Sequence, residues 1–454
     1  MSFATRKPFR LAAAVLLAAG LAGCTSTDDI QDAIGAINPF GSSKKQLPGE
    51  RLPVLSDQSP AQMSKNKPVS IGGTRNVNAW VGAGGPTGND PGNVAIAGGS
   101  GRVWSTSAAD IGAGSMTRET VRLFARPVAA DGRIFVYDPN GNITASSLDG
   151  GGRLWRVSAR PADIDAVTTG GGVTTDGPRV YAATGYGNVV AFDAASGNKL
   201  WDKKLNEPAR GAPTVGDGKI FVVSQANIIY CLSAADGKEL WTFNGVPEIG
   251  GLLSSANPAV VGGIVVAPFT SGELVALDIK TGKPVWGDAL ARASRSFAVS
   301  GLSDISASPV VSDGVVYVTG VGSRTAAISL KTGQRLWDQS VGSAHTPAVS
   351  GNAVFLNDLD DNLIALDRKT GEVLWSSRLP VTREKKKRTN WAGPLLAGGQ
   401  LWLVSNEGGM ISVDPKSGQV TGTQSIGDPA MIAPIAVGGK LIVLSAGGTL
   451  AAYN

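Results

Sequence analysis

The residue types that most often carry chemistry are scarce in this chain of 454 residues. It has two cysteines, Cys24 and Cys231, and one histidine, His345. The two cysteines form neither a CxxC metal site nor a CxxCH haem-attachment motif, and a single histidine excludes the usual histidine-rich metal clusters. His345 stands in the loop-like stretch "GSAHTP". The sequence does not identify a serine or aspartate that would act with it in catalysis, so we expect a loop residue rather than a general base.

One acidic cluster could bind a metal ion. Asp358, Asp360 and Asp361 in "NDLDDN" offer the oxygen ligands that Ca²⁺ prefers. The cluster lacks the glycine and the bidentate glutamate of a calcium loop, which favours a solvated turn between strands. No Walker, GxSxG or dinucleotide motif is present either. The sequence therefore predicts no metal, no cofactor and no catalytic residue.

The first 24 residues predict an export signal. A basic start is followed by an apolar run at 11–19, which is shorter than the roughly 20 apolar residues that span a bilayer. The run ends in "LAGC" at 21–24, which resembles the bacterial lipobox, where cleavage leaves a diacylated cysteine. The resemblance implies a signal peptide at 1–23 and lipid attachment at Cys24. The alternative is an ordinary signal with an incidental cysteine.

Residues 24–99 are predicted to form a flexible, lipid-anchored tether, because proline, glycine, serine, asparagine and glutamine dominate them. Trp80 is the tryptophan of this segment, and we expect it to touch the folded body. Thr25 follows the cysteine where lipoproteins retained in the inner membrane carry aspartate. That resemblance implies the outer membrane, with the protein facing the periplasm.

Charge gives no indication of nucleic-acid binding. The formal charge is +5, and removal of Arg6, Lys7 and Arg10 with the signal lowers it to +2, which is too little for an electrostatic footprint. The densest basic run is "TREKKKRTNW", with its charges at 383–388. We expect a solvated loop there; contact with anionic headgroups or an acidic partner is the alternative.

An eleven-residue phrase recurs along the rest of the chain. "ALDRKTGEVLW" at 365–375 has relatives that also end in tryptophan, and a seventh copy has Gly422 at that position. The phrases end at Trp155, Trp201, Trp241, Trp286, Trp337, Trp375 and Gly422. Their spacing of 38 to 51 residues is typical of four-stranded propeller blades.

Each phrase predicts a hairpin at the outer edge of a blade. The aspartate can accept hydrogen bonds from the turn backbone, and the glycine accepts a positive φ. The tryptophan on the last strand can dock between neighbouring blades, where its N–H finds a partner. The phrase is therefore interpreted as structural.

The ends of the chain predict how the ring closes. After the seven phrases, the last unit supplies three strands, and "GRVWSTSA" at 101–108 with Trp104 supplies a fourth. An N-terminal strand that completes the last blade leaves no open edge. We therefore predict an all-β, eight-bladed β-propeller of four-stranded antiparallel blades over residues 100–454. Seven blades is the alternative if the unit without tryptophan is irregular.

The pattern A-x-D-x-x-T-G-x-x-x-W resembles the repeat of pyrroloquinoline-quinone (PQQ)-type propellers. That family contains quinoprotein dehydrogenases and cofactor-free members, and the dehydrogenases stack a pair of neighbouring cysteines on the quinone. Cys231 stands alone in "IIYCLSA" and is expected to be a small buried hydrophobic residue.

Together with the lipobox and the eight repeats, "VWSTS" at 103–107 and "GLSDIS" at 301–306 are similar to the BamB family of outer-membrane lipoproteins. The resemblance implies a non-enzymatic scaffold that assists folding and insertion of β-barrel proteins by binding the insertase BamA and other subunits of the assembly machine. Two alternatives stay open. One is an enzyme or small-molecule receptor that uses the central channel, and the other is an envelope scaffold unrelated to barrel assembly.

The same resemblance implies where the partner binds. In that family BamA contacts two loops between blades. "EIGGLLSSANP" at 248–258 carries Leu252 at a matching leucine position, with Leu253 where the family has arginine. "GLSDIS" carries Asp304, with Ser306 where the family has a further acid. Leu252, Asp304 and the neighbouring Leu253 are the expected partner-binding residues.

Overall fold

A computed structural model describes most of the chain downstream of the predicted signal. The described residues are 63–109, 111, 123–248, 256–290, 304–322, 324–381 and 388–454. The predicted signal peptide, Cys24, the first part of the predicted tether, Leu252, Leu253 and residues 383–387 of the basic run lie outside them. Within the described ranges, no helix is long and apolar enough to cross a membrane.

The described chain forms strands of three to seven residues in a simple repeating order. The first sixteen are β1 (Arg102–Ser107), β2 (Val128–Ala130), β3 (Arg133–Tyr137), β4 (Asn142–Ser147), β5 (Arg153–Ser158), β6 (Gly171–Thr175), β7 (Arg179–Thr184), β8 (Asn188–Asp193), β9 (Lys199–Lys204), β10 (Thr214–Gly216), β11 (Lys219–Val223), β12 (Ile228–Ser233), β13 (Glu239–Asn244), β14 (Ala259–Val261), β15 (Ile264–Pro268) and β16 (Glu273–Asp278). The rest are β17 (Pro284–Ala289), β18 (Val310–Ser312), β19 (Val315–Gly320), β20 (Arg324–Ser329), β21 (Arg335–Gln339), β22 (Ala348–Ser350), β23 (Ala353–Asn357), β24 (Asn362–Asp367), β25 (Val373–Arg378), β26 (Trp391–Ala397), β27 (Gln400–Ser405), β28 (Gly409–Val413), β29 (Val420–Ser425), β30 (Ile435–Val437), β31 (Lys440–Leu444) and β32 (Thr449–Tyr453).

These strands form eight four-stranded antiparallel sheets, and this confirms the predicted eight-bladed propeller. Blade 1 is β2–β5, each following group of four makes the next blade, and blade 8 is β30–β32 completed by β1. β1 pairs with β32 with Trp104 opposite Ala452, so the N-terminal strand closes the last blade as expected. The unit that ends at Gly422 forms a complete blade 7, which excludes the seven-bladed alternative.

A side-chain row crosses most blades in the same way. In blade 6, Phe355 on the second strand pairs with Ala365, which pairs with Trp375. The small central residue lets the two rings approach to 6.0 Å between centroids, a favourable aromatic separation. The indole Nε1 then donates to the main-chain carbonyl of Pro415 in blade 7 at 2.9 Å.

The indole contact with the following blade is repeated around the ring. The donor and acceptor residues are Trp104 and Leu148, Trp155 and Ala194, Trp201 and Ala234, Trp241 and Ile279, Trp286 and Leu330, and Trp337 and Arg368. The predicted docking of the tryptophan between blades is therefore confirmed. Each indole buries its ring and satisfies its N–H at one junction.

Residues 63–99, here called the strap, correct the predicted tether. They belong to the same compact unit as the propeller, and Trp80 and Val94 are fully buried. The strap starts at the outer edge of blade 6, where the Lys65 N–H donates to the Val373 carbonyl at 3.0 Å. It then crosses the ring and leads into β1. The flexible-tether prediction is wrong for these residues because their backbone groups are paired and their apolar side chains are buried.

Candidate functional site

The strand order gives the propeller two distinct faces. In an antiparallel blade, the turn between the second and third strands and the connection to the next blade lie at one end, here called the upper face. The other two turns lie at the opposite end, the lower face. The predicted partner loops come from the segments between blades 3 and 4 and between blades 4 and 5, and their described parts, 248, 256–258 and 304–306, belong to connections of the upper face.

The strap closes the lower end of the central channel. Its main chain hydrogen-bonds to seven of the eight blades. The blade residues in these bonds are Val373 at the outer edge of blade 6 and Ala129, Thr175, Val260, Val311, Asn352, Leu396, Gly398, Gly438 and Gly439. Apart from Val373, all lie at or next to the turn between a blade's first two strands, so the strap spans the lower mouth.

Asp304 does not lie at the surface, contrary to the prediction. Its side chain is 1 % exposed and forms an ion pair with Arg210, which is 3 % exposed. Arg210 also donates to the carbonyl of Ile305 at 3.1 Å. A buried carboxylate needs such a partner, and Asp304 is therefore a residue that positions its loop rather than one that a partner can reach.

Arg210 was not predicted, since it comes from another connection. It lies between β9 and β10, whereas Asp304 precedes β18. Burial lowers the pKa of the Arg210 guanidinium, and the Asp304 carboxylate opposes this shift. Only the charged pair compensates the loss of hydration. The ion pair thus joins two connections of the upper face that lie two blades apart.

Asn257, which follows the segment of Leu252 and Leu253 in the sequence, has a buried and fully hydrogen-bonded side-chain amide. Asn257 donates through Nδ2 to Asn89 Oδ1 of the strap at 3.0 Å and to Thr214 Oγ1 at 2.9 Å. Its Oδ1 accepts from the Ser308 hydroxyl at 2.7 Å. Since Ser308 follows the loop of Asp304, this network fixes the ends of both predicted loops relative to the strap.

The acidic cluster is a turn, as expected. Asp358 Oδ1 accepts the N–H groups of Asp360 at 2.9 Å and Asn362 at 2.8 Å, and Asp361 pairs with Arg388 at 3.0 Å. No group of three or more candidate ligands could hold a metal ion in the part of the chain that the structure describes. Arg388 is the described residue of the 383–388 basic run.

Cys231 is a buried side chain in the core, as expected. It lies on β12 between Phe221 and Trp241, and burial raises the pKa of its thiol to about 12. At neutral pH it is therefore an unreactive thiol that fills the small central position of its blade row.

A partly enclosed cavity lies between the strap and the inner strands. It has a volume of about 20 Å³ and is lined by Trp80, Asn89, Arg126, Thr346 and Leu395, among others. A water molecule needs roughly 10–15 Å³ measured in this way, so the space admits one small species. His345 lies nearby, and burial together with the charge of Arg126 lowers its pKa to about 4. It is neutral at pH 7.

Comparisons with known proteins agree with this architecture. A family model described as outer membrane protein assembly factor BamB matches residues 139–377. BamB of Yersinia pestis is 27 % identical over 359 residues, covering 78 % of this chain and 88 % of the relative. The crystal structure of BamB from Moraxella catarrhalis superposes with a TM-score of 0.64 at 21 % identity, covering 73 % of this chain and 97 % of that one.

The fold alone does not separate scaffolds from enzymes. A europium-containing methanol dehydrogenase superposes with a TM-score of 0.63 at 14 % identity, covering 81 % of this chain and 89 % of the enzyme. That likeness is as close in shape as the previous one. The sequence match over residues 139–377 therefore decides the family.

Proposed function

Because the chain belongs to the BamB family of outer membrane protein assembly factors, we propose that it is a scaffold of the β-barrel assembly machinery. It binds a BamA-type insertase and assists folding and insertion of β-barrel proteins without making or breaking bonds. The family match over blades 1 to 6 is the observation that carries this proposal.

The arrangement of the channel supports a binding role over an enzyme of the quinoprotein type. The strap crosses the lower mouth, and the chain has no pair of neighbouring cysteines to stack on a quinone. A scaffold instead uses loops held by a rigid frame. The upper face offers such loops, and their ends are fixed by Arg210, Asp304 and Asn257.

The anchor is Cys24, and the protein sits on the outer membrane facing the periplasm. With its lipid chains attached, each buried CH₂ contributes roughly 0.8 kcal/mol to membrane binding. Cys24→Ala should therefore release the protein from membranes or block its processing. The measurement is fractionation of envelopes with mass spectrometry of the N-terminus. A variant that is still processed, acylated and membrane-bound would contradict this assignment.

The insertase binds the loop of Leu252 and Leu253 on the upper face. In the sequence, the two adjacent leucines are flanked by glycine and serine, and apolar side chains rimmed by small polar residues are typical of an interaction site. Leu252→Glu with Leu253→Glu should abolish co-purification of the insertase from detergent-solubilised envelopes and leave the melting temperature unchanged. Asp304 is left intact in this test because its substitution would disturb the fold.

The matched control places the same change on an outer strand. Leu200 on β9 is 50 % exposed, and Leu200→Glu should keep the insertase bound. If the stable double variant still retrieves the insertase, the partner binds elsewhere, and the 383–388 run is the next region to vary. If neither wild type nor variant retrieves any barrel-assembly subunit, the chain is an envelope scaffold of another kind.

A further inference from the structure

The cavity between the strap and the inner strands has a cationic lining without an acidic residue. It lies between the strap residues Trp80 and Asn89, the start of blade 6 and the first strand of blade 7, with Arg126 on its wall. Arg126 reaches it from the connection between β1 and β2. Among the residues that line the cavity, none is aspartate or glutamate.

Arg126 is partly buried, and its guanidinium has few acceptors. Its Nη1 donates to the Ala83 carbonyl at 3.2 Å, whereas an arginine has five N–H donors. Within the described ranges it forms no ion pair. Burial alone lowers the pKa of Arg126 to about 10, and the neutral His345 adds no second charge. Charges in such surroundings are normally paired.

A second donor on the same cavity also lacks a protein acceptor. The indole Nε1 of Trp80 is buried and has no hydrogen-bond partner within the described residues, whereas the blade 7 tryptophans Trp391 and Trp402 donate to main-chain carbonyls. Buried indole N–H groups usually find a partner. Thr346 also lines the cavity; its hydroxyl accepts the Ser308 N–H at 3.2 Å and has its own proton to donate.

We propose that this cavity binds one monatomic anion of halide size, held by the Arg126 guanidinium, the Trp80 N–H and the Thr346 hydroxyl. The volume of about 20 Å³ accommodates one species of the size of water or chloride and excludes polyatomic anions such as gluconate. The anion supplies the negative charge that the lining lacks. It thereby links the strap to the inner ends of blades 1, 6 and 7.

The first test is thermal unfolding at constant ionic strength. Chloride replaces gluconate over a range of about 5 to 200 mM. The melting temperature should rise by about 1–3 °C and then saturate, because a ligand that binds the native state stabilises it by mass action. Arg126→Gln should remove the chloride dependence. Arg335→Gln, which breaks a partly exposed ion pair with Asp288 far from the cavity residues, should keep it.

The second test does not depend on the stability of a variant. Crystals of the wild-type protein grown in bromide should show an anomalous peak beside Arg126, and the peak should disappear in Arg126→Gln crystals. Equal melting in chloride and gluconate together with no anomalous peak would overturn the proposal and leave water in the cavity. A peak at some other surface with none beside Arg126 would overturn it as well.

Discussion

Arg210 and Asp304 place an ion pair where water is largely excluded, at 3 % and 1 % exposure. Such a pair contributes little net stability compared with apolar side chains of the same volume, but loss of one partner leaves a buried charge unpaired. Its value here is geometric, because it fixes the connection before β18 against the connection before β10. The loop that resembles the partner-binding motif is therefore positioned from beneath.

Removal of one member of the pair should be worse than removal of both. Asp304→Ala should lower the unfolding free energy by roughly 3–5 kcal/mol, because Arg210 loses its counter-charge. Arg210→Met combined with Asp304→Leu should recover most of that loss. Urea unfolding followed by tryptophan fluorescence measures both. Equal losses in the single and double variants would mean that the charge is not the cause.

His345 gives the molecule a predictable response to acid. Its pKa in the folded protein is about 4, below the ordinary value of 6.5, because of burial and the charge of Arg126. A depressed pKa means that the unfolded chain binds the proton first, so stability is complete above pH 6.5 and is lost as the pH falls toward 4.

The loss attributable to His345 should amount to about 2 kcal/mol between pH 7 and pH 5. The measurement compares unfolding free energies of the wild type and His345→Gln at the two pH values in gluconate buffer. The wild type should lose more stability than the variant by this amount. The same slope in both proteins would place the responsible groups elsewhere.

At the scale of the blade, the glycine of the recurring phrase has two roles. Gly371 has a φ of +76°, and a Cβ there would lie 2.7 Å from the Trp337 ring of the preceding blade. Asp367 holds the same turn by accepting the N–H groups of Lys369 and Thr370, both at 2.9 Å. The recurring phrase therefore encodes both a hairpin and the surface against which the tryptophan of the preceding blade packs.

Gly371→Ala and Gly314→Ala should separate these two roles. Gly314 has a similar φ of +77°, but nothing lies within 4 Å of a Cβ added there. Alanine at Gly314 should cost only the left-handed backbone, roughly 1–2 kcal/mol. At Gly371 the collision with the indole should add about 1–3 kcal/mol. Urea unfolding of both variants measures the difference, and equal losses would show that the indole moves away freely.

The sequence predicted the blades well because their signals are local. Strand, turn and tryptophan recur within one period, and the closing strand carries the same tryptophan as its relatives.

Blade 7 shows what a local pattern misses. Trp402 takes the aromatic position on the second strand and pairs with Ser412, which pairs with Gly422. The large ring has moved two strands inward, and this exchange is visible only once the strands are aligned.

The buried polar contacts between connections and strap could not be predicted, because the residues that form them are far apart in the sequence and do not recur with the blade period. Arg210 and Asp304 are separated by 94 residues, and Asn89 meets Asn257 across 168. The strap was interpreted as a tether because it has few β-branched residues and several prolines. Its hydrogen bonds, however, go to a different blade at almost each step, so no repeat appears in its sequence.

For the whole molecule, the strap adds a second closure to the ring, because it hydrogen-bonds to blades far from the β1–β32 strand pair. It begins on blade 6, reaches seven blades through its main chain, and then becomes the fourth strand of blade 8. A propeller closed by one strand pair can open at that pair alone. Here, opening of blade 8 also requires the strap to detach from the other blades, so the described residues should unfold as one cooperative unit.

Shortened chains should locate the boundary between anchor and fold at about residue 63. A chain that begins at residue 63 should melt like the chain that begins at Thr25, because the described contacts with the propeller start at Met63 and Lys65. A chain that begins at residue 98 should melt at a much lower temperature or fail to fold, since it lacks the buried Trp80 and Val94. Calorimetry on the three chains measures this.

A point variant tests the same prediction in case the shortest chain cannot be purified. Trp80→Ala in the chain that begins at residue 63 should lower the free energy of unfolding by about 3–5 kcal/mol. Equal melting of the chains from 63 and 98, or an unchanged Trp80→Ala variant, would mean that the propeller closes without the strap.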